Sequence, residues 1–312
     1  MEFRRLGESG LKVSEIGLGC NNFGGRMDQS ATSAVVGAAL DAGINFFDTA
    51  DVYGGAGKSE EMLGAALGKR RGEAIVATKF ASPMGPSPYQ RGGSRRYVMS
   101  AVDASLSRLK TDYIDLYQMH TPDPDTPIEE TLGALDDIVR AGKVRYVGCS
   151  NFAGWQIADA DWIAHGGHLN RFVSAQNNYS LLERNVEHEV NPACARFGLG
   201  MLPYFPLASG LLTGKYQRGE PPPEGTRLAA AGRRGAEALS DRNFDRIEKL
   251  AAWAAQRGHT LLDLAFAWLL GHPVVSSVIA GATKTEQVAA NVATSGWKLT
   301  AEDVAEVTKL AK

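Results

Sequence analysis

The sequence predicts an α/β protein built as a closed (β/α)8 barrel with an N-terminal β-hairpin. Eight short apolar runs recur along the 312 residues, and helical patterns separate them. Most runs start about 25 to 40 residues apart, as βα units require. Eight such units fit one barrel of ordinary size, so residues 1–312 are expected to form a single domain. An open doubly wound sheet is the alternative that the same pattern allows.

The eight apolar runs are interpreted as buried parallel strands. They are rich in β-branched residues and lack a clean alternation of apolar and polar positions, which is typical of strands covered on both faces. In chain order they are residues 15–19, 44–47, 74–78, 113–117, 144–148, 172–175, 199–202 and 277–280.

Helical patterns with recognisable ends lie between the strands. The clearest start is expected at Thr126 as the N-cap, with Pro127 in the first helical position. Glycines such as Gly43, Gly68 and Gly142 follow the C-terminal ends of the predicted helices. The predicted helices are residues 30–41, 58–67, 94–109, 127–140, 155–164, 186–197, 241–257, 261–270 and 285–293.

Two segments fall outside the repeating units. Residues 3–7 and 11–14 flank Glu8-Ser9-Gly10, which is typical of a hairpin, and this hairpin is expected to close the bottom of the barrel. Residues 207–239 form the longest irregular stretch, and a stretch of this length is usually functional or mobile.

Composition excludes several classes of partner. With 33 basic and 35 acidic residues the net charge is −2, so no bulk attraction to nucleic acid or anionic lipid is expected. The most apolar segment, residues 261–270, is too short and too interrupted to span a bilayer. Cys20, Cys149 and Cys194 are an odd, sparse set, which disfavours disulfides or zinc and favours a cytoplasmic protein.

Polar or aromatic side chains follow seven of the eight predicted strands. In a barrel of this kind the chemistry lies at the carboxyl ends of the strands, so these side chains are expected to meet at one mouth. They include Asp48 and Tyr53, Lys79, His120, Ser150 and Asn151, Gln176, Tyr204, and Thr283 with Lys284.

The first four of these side chains could protonate a carbonyl oxygen. A tyrosine ordinarily titrates near pH 10, and an adjacent ammonium group lowers that value. Lys79 could supply the ammonium, Asp48 could orient Lys79, and His120 could donate a hydrogen bond to the substrate oxygen. Such a site needs no metal, but the hydride must come from a cofactor, since no side chain supplies one.

Six motifs together resemble those of the aldo-keto reductase family over nearly the whole chain. They are F-D-T-A-x-x-Y-G at 47–54, T-K at 78–79, D-L-Y-Q-x-H at 115–120, G-C-S-N-F at 148–152, Y-x-P-L-A-x-G-L-L-T-G at 204–214 and G-A-T-x-x-E-Q-x-x-x-N at 281–291. Any one of them alone would be a weak signal, but together they are highly specific.

The resemblance implies a (β/α)8 fold and the NAD(P)H-dependent reduction of aldehydes or ketones. It also implies a catalytic tetrad in which Tyr53 is the general acid, and whose other members are Asp48, Lys79 and His120.

The same resemblance implies a set of cofactor-binding residues. Ser150, Asn151 and Gln176 would hold the nicotinamide carboxamide, and Tyr204 would stack on its ring. Ser209, Gly210 and Leu212 would contact the pyrophosphate. Lys284 would contact the 2′-phosphate, and Gln287 and Asn291 would contact the adenine. The expected set is completed by Pro206, Leu207, Lys215, Gly281 and Thr283. A cation at a helix N-terminus suits a phosphate, so Lys284 favours NADPH, with NADH as the other possibility.

The substrate is expected to be a small carbonyl compound. Carbonyl sites are largely apolar with few polar groups. The residues expected to contact the substrate are Asn21, Phe23, Tyr53, Phe80 and His120, with Tyr89, Trp155 and Phe205 as further walls.

Two other functions stay open at this point. Some relatives in the broad family attach to membrane channels and use the bound cofactor as a redox sensor. Lys79 alone could also form a Schiff base, as in an aldolase, although Tyr53 and His120 make that a minor alternative. The sequence leaves open the physiological substrate, the direction of the reaction and the oligomeric state.

Overall fold

Eight parallel strands form the centre of the computed structural model, which describes residues 1–312 apart from the side chain of Arg234. The strands are β3 (Ile16–Gly19), β4 (Phe46–Asp48), β5 (Ile75–Phe80), β6 (Ile114–Met119), β7 (Val144–Ser150), β8 (Ser174–Gln176), β9 (Gly200–Met201) and β10 (Val278–Gly281). They follow one another in chain order, and β10 pairs with β3.

The two edge strands, β9 and β10, meet and close the barrel. The Met201 amide donates to the Val274 carbonyl at 2.8 Å, and the Ile279 amide donates to the Pro203 carbonyl at 3.1 Å. A doubly wound sheet would instead reverse its strand order at a switch point. The prediction of a (β/α)8 barrel is therefore confirmed.

Helices alternate with the strands around the barrel. They are α1 (Gln29–Asp41), α2 (Lys58–Leu67), α3 (Arg95–Leu109), α4 (Ile128–Arg140), α5 (Gly154–Gly166), α6 (Val190–Phe197), α7 (Arg233–Ala238), α8 (Asp241–Ala255), α9 (Leu261–Leu270), α10 (Thr285–Ala293) and α11 (Ala301–Leu310). Within the described chain, no helix combines the length and the hydrophobicity that a bilayer crossing needs.

Two predicted helix starts need correction, and two helices were not predicted. Helix α4 begins at Ile128 with Pro127 as its N-cap, because the Thr126 hydroxyl donates to the Asp123 carboxylate at 2.7 Å and does not cap the helix. Helix α6 begins at Val190 and not at residue 186, and Pro192 is tolerated there because it stands in the first turn. Helices α7 and α11 were not predicted, although Thr300 and Asp303 form a capping box at the start of α11.

The N-terminal hairpin closes the bottom of the barrel, as predicted. Strands β1 (Phe3–Arg5) and β2 (Lys12–Ser14) pair antiparallel. Leu6 and Val13 are fully buried and pack against the inner side chains of the strands, among them Phe46 and Leu116. Bulky side chains from alternate strands thus fill the interior below the site, and the opposite end carries the opening. That residues 1–312 form one domain stays a prediction.

Candidate active site

A cleft of about 750 Å³ lies at the carboxyl ends of the strands. It brings together most of the residues that the sequence singled out. Those that line it are Asn21, Asp48, Tyr53, His120, Ser150, Asn151, Gln176, Tyr204, Phe205, Pro206, Leu207, Ser209, Gly210, Lys215, Gly281, Thr283, Lys284, Gln287 and Asn291. Residues from nearly the whole length of the chain, from Asn21 to Asn291, therefore line the same opening of the barrel.

Lys79 lies beneath this cleft with its side chain fully buried. Its Nζ donates to Asp48 Oδ2 at 2.7 Å, to the Thr49 carbonyl at 2.8 Å and to the Tyr53 hydroxyl oxygen at 3.5 Å. Burial alone would lower the pKa of Lys79, but Asp48 and Tyr53 outweigh it and hold the pKa above its usual value. Lys79 is thus a buried ammonium with three partners, which disfavours the Schiff-base alternative because that chemistry needs an accessible neutral amine.

Asp48 ties several strands together inside the barrel. Besides the ion pair with Lys79 on β5, its Oδ1 accepts from Gln176 Nε2 on β8 at 2.8 Å and from Gln118 Nε2 on β6 at 3.3 Å. The carboxylate is therefore supplied with donors from three other strands. Such saturation satisfies the hydrogen-bonding capacity of a buried carboxylate.

Tyr53 stands at the floor of the cleft, and its acidity differs from the expectation. Burial raises the pKa of Tyr53 above its usual value, and the neighbouring Lys79 ammonium opposes that effect without overcoming it. Lys79 lowers the pKa of Tyr53, as expected. The expected net lowering of that pKa is wrong, because burial has the larger effect. The phenol is therefore protonated at neutral pH and available as a proton donor.

His120 meets Tyr53 edge-on, with 5.7 Å between the ring centroids. Burial, helped by the Lys79 charge, lowers the pKa of His120 to about 3, so the ring is neutral at physiological pH. Its Nδ1 lies 3.1 Å from the Ser82 hydroxyl. If Ser82 donates to Nδ1, the single ring proton resides on Nε2, which can then donate to a ligand.

The residues expected at the nicotinamide form one connected group. Asn151 Nδ2 donates to the His120 carbonyl at 2.9 Å, and its Oδ1 accepts from the Tyr204 hydroxyl at 2.8 Å. Ser150 Oγ donates to the Gln176 carbonyl at 2.8 Å. These bonds fix Asn151 and Tyr204 at the mouth, and the oxygen lone pairs that remain free are acceptors that suit the amide hydrogens of a carboxamide.

The other end of the cleft suits a phosphate-bearing group. Gly210 has φ +96°, a backbone conformation that favours glycine, and it lies beside the end of the Lys215 side chain. Lys284 is the N-cap residue of α10, where its charge and the helix dipole both favour an anion. Gln287 Oε1 accepts from the Thr283 amide at 2.7 Å and so is engaged by the protein.

Some predicted residues lie elsewhere. Phe23, Phe80 and Leu212 are fully buried in the core and do not line the cleft. Phe80 follows Lys79 on β5, so its side chain faces away from the barrel interior, where it stacks on Tyr117 with 4.8 Å between centroids. Tyr89 and Trp155 lie on the outer surface, with exposures of 58% and 65%.

The cleft also contains residues that sequence reasoning missed. Arg26 lies on the loop after β3, and Glu224 and Arg227 lie in the irregular stretch before α7. That stretch was singled out by its length, yet no periodicity in it indicates which side chains face the cleft.

Comparisons with known proteins agree with this geometry. The family model described as "Aldo/keto reductase family" matches residues 15–312. The chain is 39% identical to the uncharacterized oxidoreductase YrpG of Bacillus subtilis (strain 168), covering 92% of this chain and 89% of that protein.

Other relatives carry different names. A probable voltage-gated potassium channel subunit beta of Oryza sativa subsp. japonica is 38% identical, covering 94% of this chain and 90% of that protein. An L-glyceraldehyde 3-phosphate reductase of Escherichia coli O157:H7 is 35% identical, covering 98% and 91%. With a family match over nearly its whole length, the chain belongs to the aldo/keto reductase family and is an oxidoreductase.

Proposed function

We propose that the protein reduces aldehyde or ketone carbonyls to alcohols with NADPH, and that Tyr53 is the general acid. The observation that carries this proposal is the position of the Tyr53 hydroxyl, 3.5 Å from the buried Lys79 ammonium and on the floor of the cleft. Asp48 and His120 complete the proposed tetrad.

Each member of the tetrad has a role that follows from its contacts. When bound, the cofactor supplies the hydride to the carbonyl carbon. The carbonyl oxygen receives the Tyr53 proton, so a C–H and an O–H bond form, the C=O π bond is lost and the C–O single bond remains. The Lys79 ammonium stabilises the phenolate that Tyr53 leaves behind, and Asp48 holds Lys79 in place at 2.7 Å.

His120 is proposed to orient the substrate. A neutral imidazole beside Tyr53 can donate a hydrogen bond to the carbonyl oxygen without adding a charge to the site. The two rings are in T-shaped contact, so His120 lies beside the proposed proton donor.

The cofactor-binding residues are proposed residue by residue. Ser150, Asn151 and Gln176 would hold the carboxamide and Tyr204 the ring. Ser209, Gly210, Leu212 and Lys215 would hold the pyrophosphate, with Leu212 acting only through its backbone because its side chain is buried. Pro206, Leu207, Gly281 and Thr283 line the same cleft, while Gln287 and Asn291 would contact the adenine.

Lys284 is proposed to select NADPH over NADH. The test is calorimetric titration of the wild type and Lys284→Ala with both cofactors. We expect Lys284→Ala to weaken NADPH binding about tenfold and to leave NADH binding near the wild-type value. Equal weakening of both cofactors would contradict the assignment.

The reaction itself is tested by following NADPH oxidation with a panel of aldehydes and ketones. Turnover of at least one carbonyl class by the wild type supports the proposed function. Tight NADPH binding with no turnover on any carbonyl would instead favour the second candidate below.

The second candidate is a cofactor-binding redox sensor or regulatory subunit. It is favoured by the names of the rice relative and of a second relative in Arabidopsis thaliana, both called probable voltage-gated potassium channel subunit beta. The tetrad geometry is compatible with this role, so the carbonyl panel decides between the two.

A cytoplasmic location is proposed as well. Within the described structure Cys20, Cys149 and Cys194 are free and buried thiols, which suits a reducing compartment.

A further inference from the structure

Ser82 is a half-buried serine that contacts the His120 ring and lies outside the proposed tetrad. Its hydroxyl oxygen lies 3.1 Å from His120 Nδ1, and among the described residues it has no other hydrogen-bond partner. His120 lines the cleft, whereas Ser82 does not. An effect of Ser82 on a ligand in the cleft would therefore pass through the His120 ring.

A strained turn places Ser82 beside this ring. Ala81 directly precedes it and has φ +86°, in the left-handed region that residues other than glycine rarely adopt. The Ala81 carbonyl accepts from the Gly92 amide at 2.9 Å, so the far end of the loop between β5 and α3 holds the turn. Pro83 follows Ser82, and its ring disfavours the helical region for the serine backbone. Strain of this kind persists only where the surrounding structure maintains it, and it is concentrated at functional sites.

The backbone of His120 is held on both sides of its side chain. Its amide donates to the Phe80 carbonyl at 2.9 Å, and its carbonyl accepts from Asn151 Nδ2 at 2.9 Å. These two bonds leave open the rotation of the ring and the nitrogen that carries the ring proton. A partner at Nδ1 can set both, because the hydrogen bond at one ring nitrogen decides which nitrogen is protonated.

The two neutral forms of the ring use the Ser82 hydroxyl differently. Burial lowers the pKa of His120 to about 3, so the ring carries a single proton at physiological pH. With that proton on Nδ1, the ring would donate to Ser82 Oγ, and the serine proton would have no acceptor among the described residues. With the ring proton on Nε2, Ser82 donates to Nδ1 and its own proton is used. The second form satisfies more of the hydrogen-bonding groups.

We propose that Ser82 is a positioning residue that donates to His120 Nδ1 and so keeps the ring proton on Nε2 for the carbonyl oxygen of the substrate. This proposal rests on the proposed reductase function and adds to it a residue outside the tetrad. A carbonyl oxygen is only an acceptor, so a ring with its proton on Nδ1 would present a lone pair to it. Ser82 disfavours that unproductive form and fixes the rotation of the ring.

The first experiment compares Ser82→Ala with the wild type in carbonyl reduction by NADPH. Loss of one hydrogen bond should lower kcat/KM about 3- to 10-fold, while the Kd for NADPH stays near the wild-type value. The matched control Ser87→Ala removes another hydroxyl of the same loop, one that accepts from the Tyr89 amide at 3.3 Å, and should leave kcat/KM unchanged. An unchanged kcat/KM in Ser82→Ala would overturn the proposal.

A double-mutant cycle separates this role from a general structural one. In the His120→Gln background, Ser82→Ala should cause no further loss of kcat/KM, because the ring through which Ser82 acts is absent. A merely structural role would lower kcat/KM by the same factor in both backgrounds, and that result would contradict the proposal.

The last measurement reports the ring proton directly and does not depend on turnover. In protein labelled with ¹⁵N-histidine, NMR correlations between ring protons and ring nitrogens distinguish a protonated nitrogen from a bare one. His120→Gln identifies the signals of His120 among the six histidines. At about pH 7 we expect a protonated Nε2 and a bare Nδ1 in the wild type and in Ser87→Ala, and a mixture of both forms in Ser82→Ala.

Two outcomes of the NMR experiment would refute the role of Ser82 whether or not the protein reduces a carbonyl. One is a protonated Nδ1 in the wild type, and the other is an identical ring proton position in Ser82→Ala and the wild type. The expected NMR result together with no turnover on any carbonyl would support the contact between Ser82 and His120 and contradict only the proposed reductase function.

Discussion

Lys79 Nζ lies 2.7 Å from Asp48 Oδ2 but 3.5 Å from the Tyr53 oxygen. The ammonium therefore serves mainly as the countercharge of Asp48, and its pull on the Tyr53 proton is the weaker of the two interactions. Because burial dominates at Tyr53, the phenol keeps its proton in the resting site. A general acid for carbonyl reduction needs that protonation state.

The first prediction concerns this proton. Tyr53→Phe removes the hydroxyl but keeps the ring, so kcat for carbonyl reduction should fall by about 10²- to 10⁴-fold, the usual contribution of general acid catalysis. Steady-state NADPH oxidation measures the loss. The Kd for NADPH should stay near the wild-type value, and near-normal turnover would show that another group donates the proton.

The second prediction concerns His120 and pH. A pKa of about 3 leaves the ring neutral, so its titration should cause no break in the kcat profile of reduction between about pH 5 and 8. His120→Gln should lower kcat while the profile keeps its shape. A break near the usual histidine pKa in the wild type that disappears in His120→Gln would contradict a neutral role.

The third prediction concerns Asp51, which is 1% exposed and accepts a hydrogen bond from the Tyr97 hydroxyl at 3.2 Å. Burial, and then the charge of Glu60, raise the pKa of Asp51 to about 7. The folded protein thus favours the protonated acid, and the resulting stability is present below about pH 4 and lost as the pH rises through about 7.

Asp51→Asn imitates the protonated acid at every pH. Relative to the wild type, its free energy of unfolding should increase between about pH 4 and 8, by about 4 kcal/mol at most. Urea unfolding at several pH values measures this difference. The exposed control Asp112→Asn should show no such trend, and a flat difference for Asp51→Asn would mean that Asp51 is ionised throughout.

The fourth prediction concerns the closed end of the barrel. Leu6 is fully buried among the inner side chains, so Leu6→Ala should lower the free energy of unfolding by about 2 to 5 kcal/mol. Leu11→Ala, at a partly buried position beside the same cluster, should cost less. Urea unfolding gives both values. Affinity for NADPH should not change in either variant, and a large loss of affinity would mean that the two ends of the barrel are coupled.

The barrel itself could be predicted because strand runs, helix ends and their spacing are local patterns. The motifs similarly indicated Asp48, Tyr53, Lys79 and His120, and the structure brings these four side chains together. The spacing of the motifs in the sequence does not indicate how deeply each of these side chains is buried. The direction in which the pKa of Tyr53 shifts depends on desolvation by residues that are distant in the sequence.

The walls of the cleft were harder to predict for a different reason. Phe80 adjoins Lys79 in the chain, yet one side chain faces the barrel interior and the other the surrounding helices. Arg227 lies in an irregular stretch, where neither a helical nor a strand period indicates direction. Loop paths depend on tertiary contacts such as that between Arg26 and Gly225, and no local pattern encodes them.

Asp48 accepts hydrogen bonds from β5, β6 and β8 while it belongs to β4. Efforts to broaden the range of accepted compounds by protein engineering should therefore leave this carboxylate and its donors intact, because one substitution there would disturb four strands at once. Arg26 and Arg227 are better targets for libraries of variants, since they line the cleft from loops outside the four strands that Asp48 joins.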